Sequence, residues 1–264
     1  MKLTTTRLEK SEQVATITLN RPDHMNTINA VMLNELVSHF EDVSLDEEIR
    51  VVIFTGEGRA FSAGADITDI DEFLGLQKEF AENQDTLKLM NRVALAIRNT
   101  PKPVVAAVNG VAAGGAANLV LACDIIVASE KAKLAEVFIN IGLVPDGGGT
   151  YFLPERIGYH RAAEIIFTGK ILSAQEALDL GLYNRVVPPE EVMSAAREVA
   201  QELAQKPPLA LTAGKAILNR EAIPRLRAYL EDEARAQRAM FKTQDAREGI
   251  TAFFEKRKPN FTGK

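Results

Sequence analysis

Tryptophan is absent from this 264-residue chain, cysteine occurs once, at Cys123, and histidine three times. A single cysteine excludes a disulfide framework and fits a reducing compartment. Between apolar Leu121-Ala122 and Asp124, Cys123 reads as a core residue rather than a nucleophile. Scattered histidines offer no metal-ligand spacing, so no metal site is expected. No apolar run approaches the ~20 residues of a membrane span, and the opening MKLTTTRLEK lacks the apolar segment of a secretory signal. Nor is positive charge in excess. A net charge of −5 and a pI near 5.4 predict neither a nucleic-acid face nor a membrane-surface patch. Cytoplasmic is the expected location. With 46% hydrophobic and 25% charged residues, the composition is that of a globular protein, and the length suits one α/β unit.

The pattern along the chain is α/β. Val14 to Asn20 alternates with period two and predicts a strand ending at Arg21-Pro22. A helix is expected over Asn29 to Val43, and Arg50 to Gly56 reads as a buried strand. A long helical stretch over roughly Asp71 to Arg98 stops near Pro101 and Pro103. Strands at Pro103 to Asn109 and Asp124 to Ser129 flank a helix at Gly115 to Ala122. From Ser173 onward the pattern is helical almost throughout. Ser173 with Glu176 makes a capping box, Gly181 closes that helix, Pro188-Pro189 opens another, and helices run to Phe254. The expected organisation is a core over 1–195 and a helical region over 196–264, serving as a cap or an assembly surface.

Three glycine-rich loops leave strands or enter helices: Phe54 to Ile67, Asn109 to Leu119 and Gly142 to Thr150. Any one of them reads equally as a tight turn. Gly114-Gly115 opens a helix, where unpaired N–H groups and the positive dipole end favour an anionic oxygen. The Gly115 N–H, with Ala63 N–H as a second donor, would form an oxyanion hole. Two other patterns fit less well. Glu130 lies twenty residues after Gly110, like the acidic residue of a dinucleotide site, but the glycine spacing is G-x-x-x-G-G. Ser62, Asp146 and His160 follow the order of a serine hydrolase, yet Ser62 is eight residues past its strand and His160 reads as the polar start of a surface helix.

Taken in order, "ITLNRP", "GEGRAFSAGADI", "AAVNGVAAGG", "PDGGGT" and "REGITAFFEKRKPNFTGK" resemble the crotonase superfamily of enoyl-CoA hydratases and isomerases over nearly the whole chain. The resemblance implies an α/β crotonase-like spiral of ββα units with a C-terminal helical trimerisation region, and a homotrimer or dimer of trimers. It implies an acyl-CoA thioester substrate and no separate cofactor, coenzyme A being part of the substrate. Its carbonyl would sit between the Ala63 and Gly115 N–H groups. Ala63, Gly64, Ala65, Asp66 and Ile67 would line the coenzyme A site. Phe253 and Lys256 match positions that reach the coenzyme A of a neighbouring subunit.

Acid/base residues decide the reaction within such a family, and here the chain departs from the hydratase pattern. The two glutamate positions of typical hydratases hold Asn118 and Phe138, and neither side chain shuttles a proton. Asp146 remains, at a position where some crotonase-fold isomerases carry a carboxylate and where aromatic dehalogenases of the fold carry their nucleophile. Without tryptophan the dehalogenase reading is the weaker. Pro-Asp-Gly is also ordinary turn chemistry. Phe138 with Asp146, and the FTGK ending, look closest to 1,2-epoxyphenylacetyl-CoA isomerase-like members of phenylacetate breakdown. The expected activity is acyl-CoA isomerisation by a single carboxylate, with Asn118 orienting substrate or water and Phe138 and Val144 giving Asp146 an apolar setting. Hydration, or acyl-CoA binding without catalysis, are the alternatives. The acyl pocket is expected to draw on Ile67 to Asn91.

Overall fold

A computed structural model describes residues 4–67 and 85–264. Its larger sheet runs β1 (Thr6–Ser11), β2 (Val14–Leu19), β3 (Val51–Gly56), β5 (Val104–Val108), β7 (Ile125–Ser129) and β10 (Arg185–Val187), antiparallel at β1–β2 and parallel beyond. A second sheet stacks four strands of three residues each: β4 (Ala60–Ser62), β6 (Val111–Ala113), β8 (Lys133–Ala135) and β9 (Ile171–Ser173). In three successive turns, β3–β4, β5–β6 and β7–β8, the chain gives one strand to each sheet before its next helix, the ββα spiral that the crotonase resemblance implies. Helix α1 spans Ala30–Leu45 with Asn29 as its N-cap. Helix α2 is described over Thr86–Asn99; the earlier part of the expected 71–98 stretch lies outside the described residues. Helix α3, Gly115–Ala122, has the predicted bounds.

Strand β3 shows why the expected buried strand carries no polar alternation. Its Val52 and Phe54 join the main core with Phe40 and Phe61, while Val51 and Ile53 face a second cluster. That second cluster is closed by α7 (Val192–Ala204) through Val192, Ala196, Val199 and Ala200. Both faces of the strand are covered, as parallel sheets require. The expected boundary at 195 therefore falls inside a helix that roofs the sheet. The helices beyond it are α8 (Pro208–Asn219), α9 (Ala222–Met240) and α10 (Gln244–Phe254). Between β8 and α7 come α4 (Gly149–Ile157), α5 (Tyr159–Thr168) and α6 (Ala174–Asp179), the last opened by the predicted Ser173–Glu176 capping box. No helix of the described residues is long and apolar enough to cross a membrane.

Helix α8 is fastened by an ion pair between a buried lysine and a half-buried aspartate. Lys215 Nζ lies 2.6 Å from Asp124 Oδ2 and also donates to the carbonyls of Ile97 and Lys102. Asp124 in turn accepts from Val104 N–H at 2.8 Å. Removing one partner of such a pair strands the other. Lys215→Ala is expected to lower unfolding free energy by about 3 kcal/mol, read from urea denaturation; a change below 1 kcal/mol would show that Arg98, 3.5 Å from Asp124, takes over.

Candidate active site

The three glycine-rich loops meet at the N-terminus of α3. A Cβ on Gly64 would lie 3.0 Å from the Ala113 carbonyl oxygen, so the first two loops touch. Gly114 adopts φ +56°, a conformation that favours glycine, and its N–H bonds Ala135 O at 2.8 Å. The next N–H, at Gly115, has no partner among the described residues, as expected at the first helical position. A Cβ at Gly115 would lie 2.7 Å from Asp146 Oδ1 and 2.7 Å from Met90 Cε. The bare backbone at Gly115 thus gives Asp146 its place beside a free helix N–H.

The expected donor at Ala63 requires correction. Its N–H is spent on Met25 O at 2.9 Å. Two residues on, Ala65 is exposed and its N–H has no partner among the described residues, because the bridge to Ile28 uses Gly64 O and Asp66 N instead. Ala65 is therefore the free donor of the first loop. Asp66 pairs with Arg21 at 2.7 Å, and Ile67 packs with Phe138, Leu143, Ala246 and Ile250. Ser62 is fully buried and its Oγ accepts Gly64 N–H, while His160 is exposed on α5, so the hydrolase order does not assemble a triad. Phe253 is exposed near the end of α10, whose other face carries Ala246 and Ile250 against Phe138. Lys256 follows at φ +54°. Cys123 is buried and its thiol is pushed up by burial, as a core residue's should be.

Asp146 is partly exposed as a residue, with Oδ1 shut from solvent and without a hydrogen-bond partner among the described residues. Burial raises its carboxyl to about 7, and the Gln237 side chain opposes the rise. Gln237 also accepts Val144 N–H at 3.1 Å, and Glu233, one turn earlier on α9, accepts Gly148 N–H and Thr150 N–H, both at 2.8 Å. The loop carrying Asp146 is thus clasped by α9. Burial also raises Glu233 to about 7, against its hydrogen bonds from Thr150 and Gly148. Gln237→Leu is expected to lift Asp146 further, moving the acid limb of kcat/KM to higher pH by up to about one unit. A limb left at its wild-type position would remove Gln237 from the account.

Asn118, fully buried, donates through Nδ2 to Asp146 O at 2.7 Å. Phe138 presents its ring to Gly114, with Cζ 3.4 Å from where a Cβ would stand. Sequence reasoning missed Met90, Glu233, Gln237 and Glu136. Glu136 had a legible signal, a lone carboxylate in the apolar run Leu134 to Phe138. It is buried, 1% exposed, and neither of its oxygens has a partner among the described residues.

Residues 9–264 match the model of the enoyl-CoA hydratase/isomerase family. The chain belongs to that family. As a member of the enoyl-CoA hydratase/isomerase family it is an enzyme of a group that acts on acyl-CoA thioesters. A probable enoyl-CoA hydratase of Rhodobacter capsulatus is 40% identical over the full length of both chains. The 1,2-epoxyphenylacetyl-CoA isomerase of Escherichia coli is 38% identical over 95% of each chain. Among solved structures, an enoyl-CoA hydratase from Mycobacterium avium subsp. paratuberculosis superposes with a TM-score of 0.87 at 34% identity, covering 98% of this chain and 99% of that one.

Proposed function

We propose that this family member is an acyl-CoA isomerase that moves a double bond next to the thioester through an enolate. The observation that carries the reading is the placement of Asp146, whose carboxyl is raised by burial to about 7, beside the free N–H of Gly115. The thioester oxygen lies between the N–H groups of Gly115 and Ala65. Asp146, as carboxylate, takes a proton from the α-carbon of a 3-enoyl thioester. The electron pair moves onto the thioester oxygen, and the neighbouring N–H groups stabilise the dienolate. Protonated Asp146 then returns the proton to the γ-carbon, giving the 2-enoyl thioester. One base suffices because removal and return are sequential on one face. Asn118 holds the Asp146 main chain in this scheme, rather than orienting substrate or water.

Hydration needs a second proton-transfer group beside a water. What supports isomerisation over hydration is that Phe138 is apolar and the neighbouring Glu136 is only 1% exposed. Phe253 and Lys256 are the residues we would place on the coenzyme A of an adjacent copy. The exposed Leu209, Ile217 and Leu218 of α8 suit burial between copies, in a trimer or dimer of trimers. The experiment is an NMR product assay of 3-hexenoyl-CoA in D₂O. A shifted double bond supports the reading, with deuterium at the γ-carbon measuring how far protonated Asp146 exchanges with solvent before it returns the proton. 3-Hydroxyhexanoyl-CoA as the product would replace the reading with hydration.

A further inference from the structure

Four buried oxygens beside Asp146 have no hydrogen-bond partner among the described residues: Asn118 Oδ1, Glu136 Oε1 and Oε2, and Asp146 Oδ1. An amide oxygen and ionised carboxylates only accept hydrogen bonds, so without a proton these atoms cannot satisfy one another. Glu136 follows β8, the strand whose last residue, Ala135, accepts the Gly114 N–H. Its side chain comes within hydrogen-bonding reach of Asn118 and feels the charges of Glu233 and Asp146. No cation pairs with it among the described residues. An ionised carboxylate sealed at 1% exposure with neither donor nor counter-ion is strongly disfavoured.

We propose that Glu136 is a positioning residue of this site, which as a neutral acid donates its O–H to Asn118 Oδ1 and so clamps Asn118 onto the main chain of Asp146. The chain of contacts is short. Glu136 O–H meets Asn118 Oδ1; Asn118 Nδ2 meets Asp146 O at 2.7 Å; the Asp146 carboxyl faces Gly115. The bare backbone of Gly149 leaves the Asn118 amide its place, since a Cβ there would lie 2.6 Å from Nδ2 and 3.0 Å from Oδ1. One proton on Glu136 satisfies one of its own carboxyl oxygens and Asn118 Oδ1. It leaves the other Glu136 carboxyl oxygen and Asp146 Oδ1 without a donor among the described residues, the latter being the oxygen available for chemistry. Burial, and the like charges of Glu233 and Asp146, favour that neutral form, while the Asn118 side chain works against it.

The test uses neutral and apolar replacements of similar size. Glu136→Gln keeps a donor in place, so kcat for 3-hexenoyl-CoA isomerisation is expected within about twofold of wild type and the acid limb of its pH profile unmoved. Glu136→Leu removes the donor, so kcat is expected to fall about tenfold with KM little changed, the equivalent of one lost hydrogen bond. The kinetic arm rests on the isomerase reading. A second arm does not: the infrared difference spectrum, wild type minus Glu136→Gln at pH 7, should show the C=O stretch of one protonated carboxylic acid. That measurement also stands if Glu136→Leu fails to fold. A carboxylate band instead, or Glu136→Gln losing as much activity as Glu136→Leu, would overturn the proposal. Wild type that leaves the double bond in place while showing the acid band would sink the isomerase reading alone.

Discussion

Asp146→Asn is expected to lower kcat for double-bond isomerisation by about 10²–10⁴-fold, the range that a positioned general base contributes. The change keeps the shape of the side chain and its neighbours Gly115 and Gln237, so KM should move little. In the wild type, kcat/KM should rise with pH through about 7 and then level, because burial has lifted the Asp146 carboxyl to that value and only the carboxylate accepts the proton. Stability should follow the opposite course. A carboxyl whose folded pKa is raised binds its proton more tightly when folded, so its contribution is complete below the ordinary carboxylate range. That contribution is lost as pH rises through about 7. Asp146→Asn carries no such penalty, and its melting temperature should exceed that of the wild type at pH 8, by progressively less as pH falls, and differ little below about pH 4. Loss of activity without this pH-dependent gain would mean that Asp146 is solvated and is no buried base. A fully active Asp146→Asn would place the proton transfer elsewhere.

Much of the fold was legible because most of its helices and long strands carry complete signals; the exception is β1 (Thr6–Ser11), a mostly exposed edge strand that was not expected. Asn29 caps α1, Ser173 and Glu176 form their capping box, and α3 begins at the second glycine of the pair. The second sheet was not legible. Its strands have three residues each, too few to display a period of two. β10 escaped for the same reason, lying between a glycine-closed helix and two prolines. At the site, Asp146 and Gly115 stood out as a carboxylate and a helix opening among glycines. Ala63 was the wrong donor of its loop, because sequence cannot say which of two N–H groups is already taken by Met25. Gln237 and Glu233 sit on a highly charged helix far along the chain, and only tertiary packing turns them toward the 144–150 loop. Glu136 carried a signal, a lone carboxylate in an apolar run, but the run itself suggested core.

The two glycines that open α3 serve different needs, and substitution separates them. Gly114 sits at φ +56°, so Gly114→Ala is expected to strain the backbone by about 1–3 kcal/mol and lower stability whatever the space around it. Gly115 has no such conformation. Alanine there is the better helix former by up to about 1 kcal/mol, and the Met90 side-chain end, 2.7 Å from the new Cβ, is flexible enough to yield. Asp146 Oδ1, also at 2.7 Å, is the atom that cannot yield without leaving its post. Gly115→Ala should therefore fold with a melting temperature close to wild type. Its kcat should nevertheless fall about 10²-fold, the loss expected when a reacting group is displaced by about 1 Å. Near-wild-type activity in Gly115→Ala would mean that Asp146 acts from another rotamer. A large loss of stability would mean that the second glycine is there for the fold and not for the chemistry.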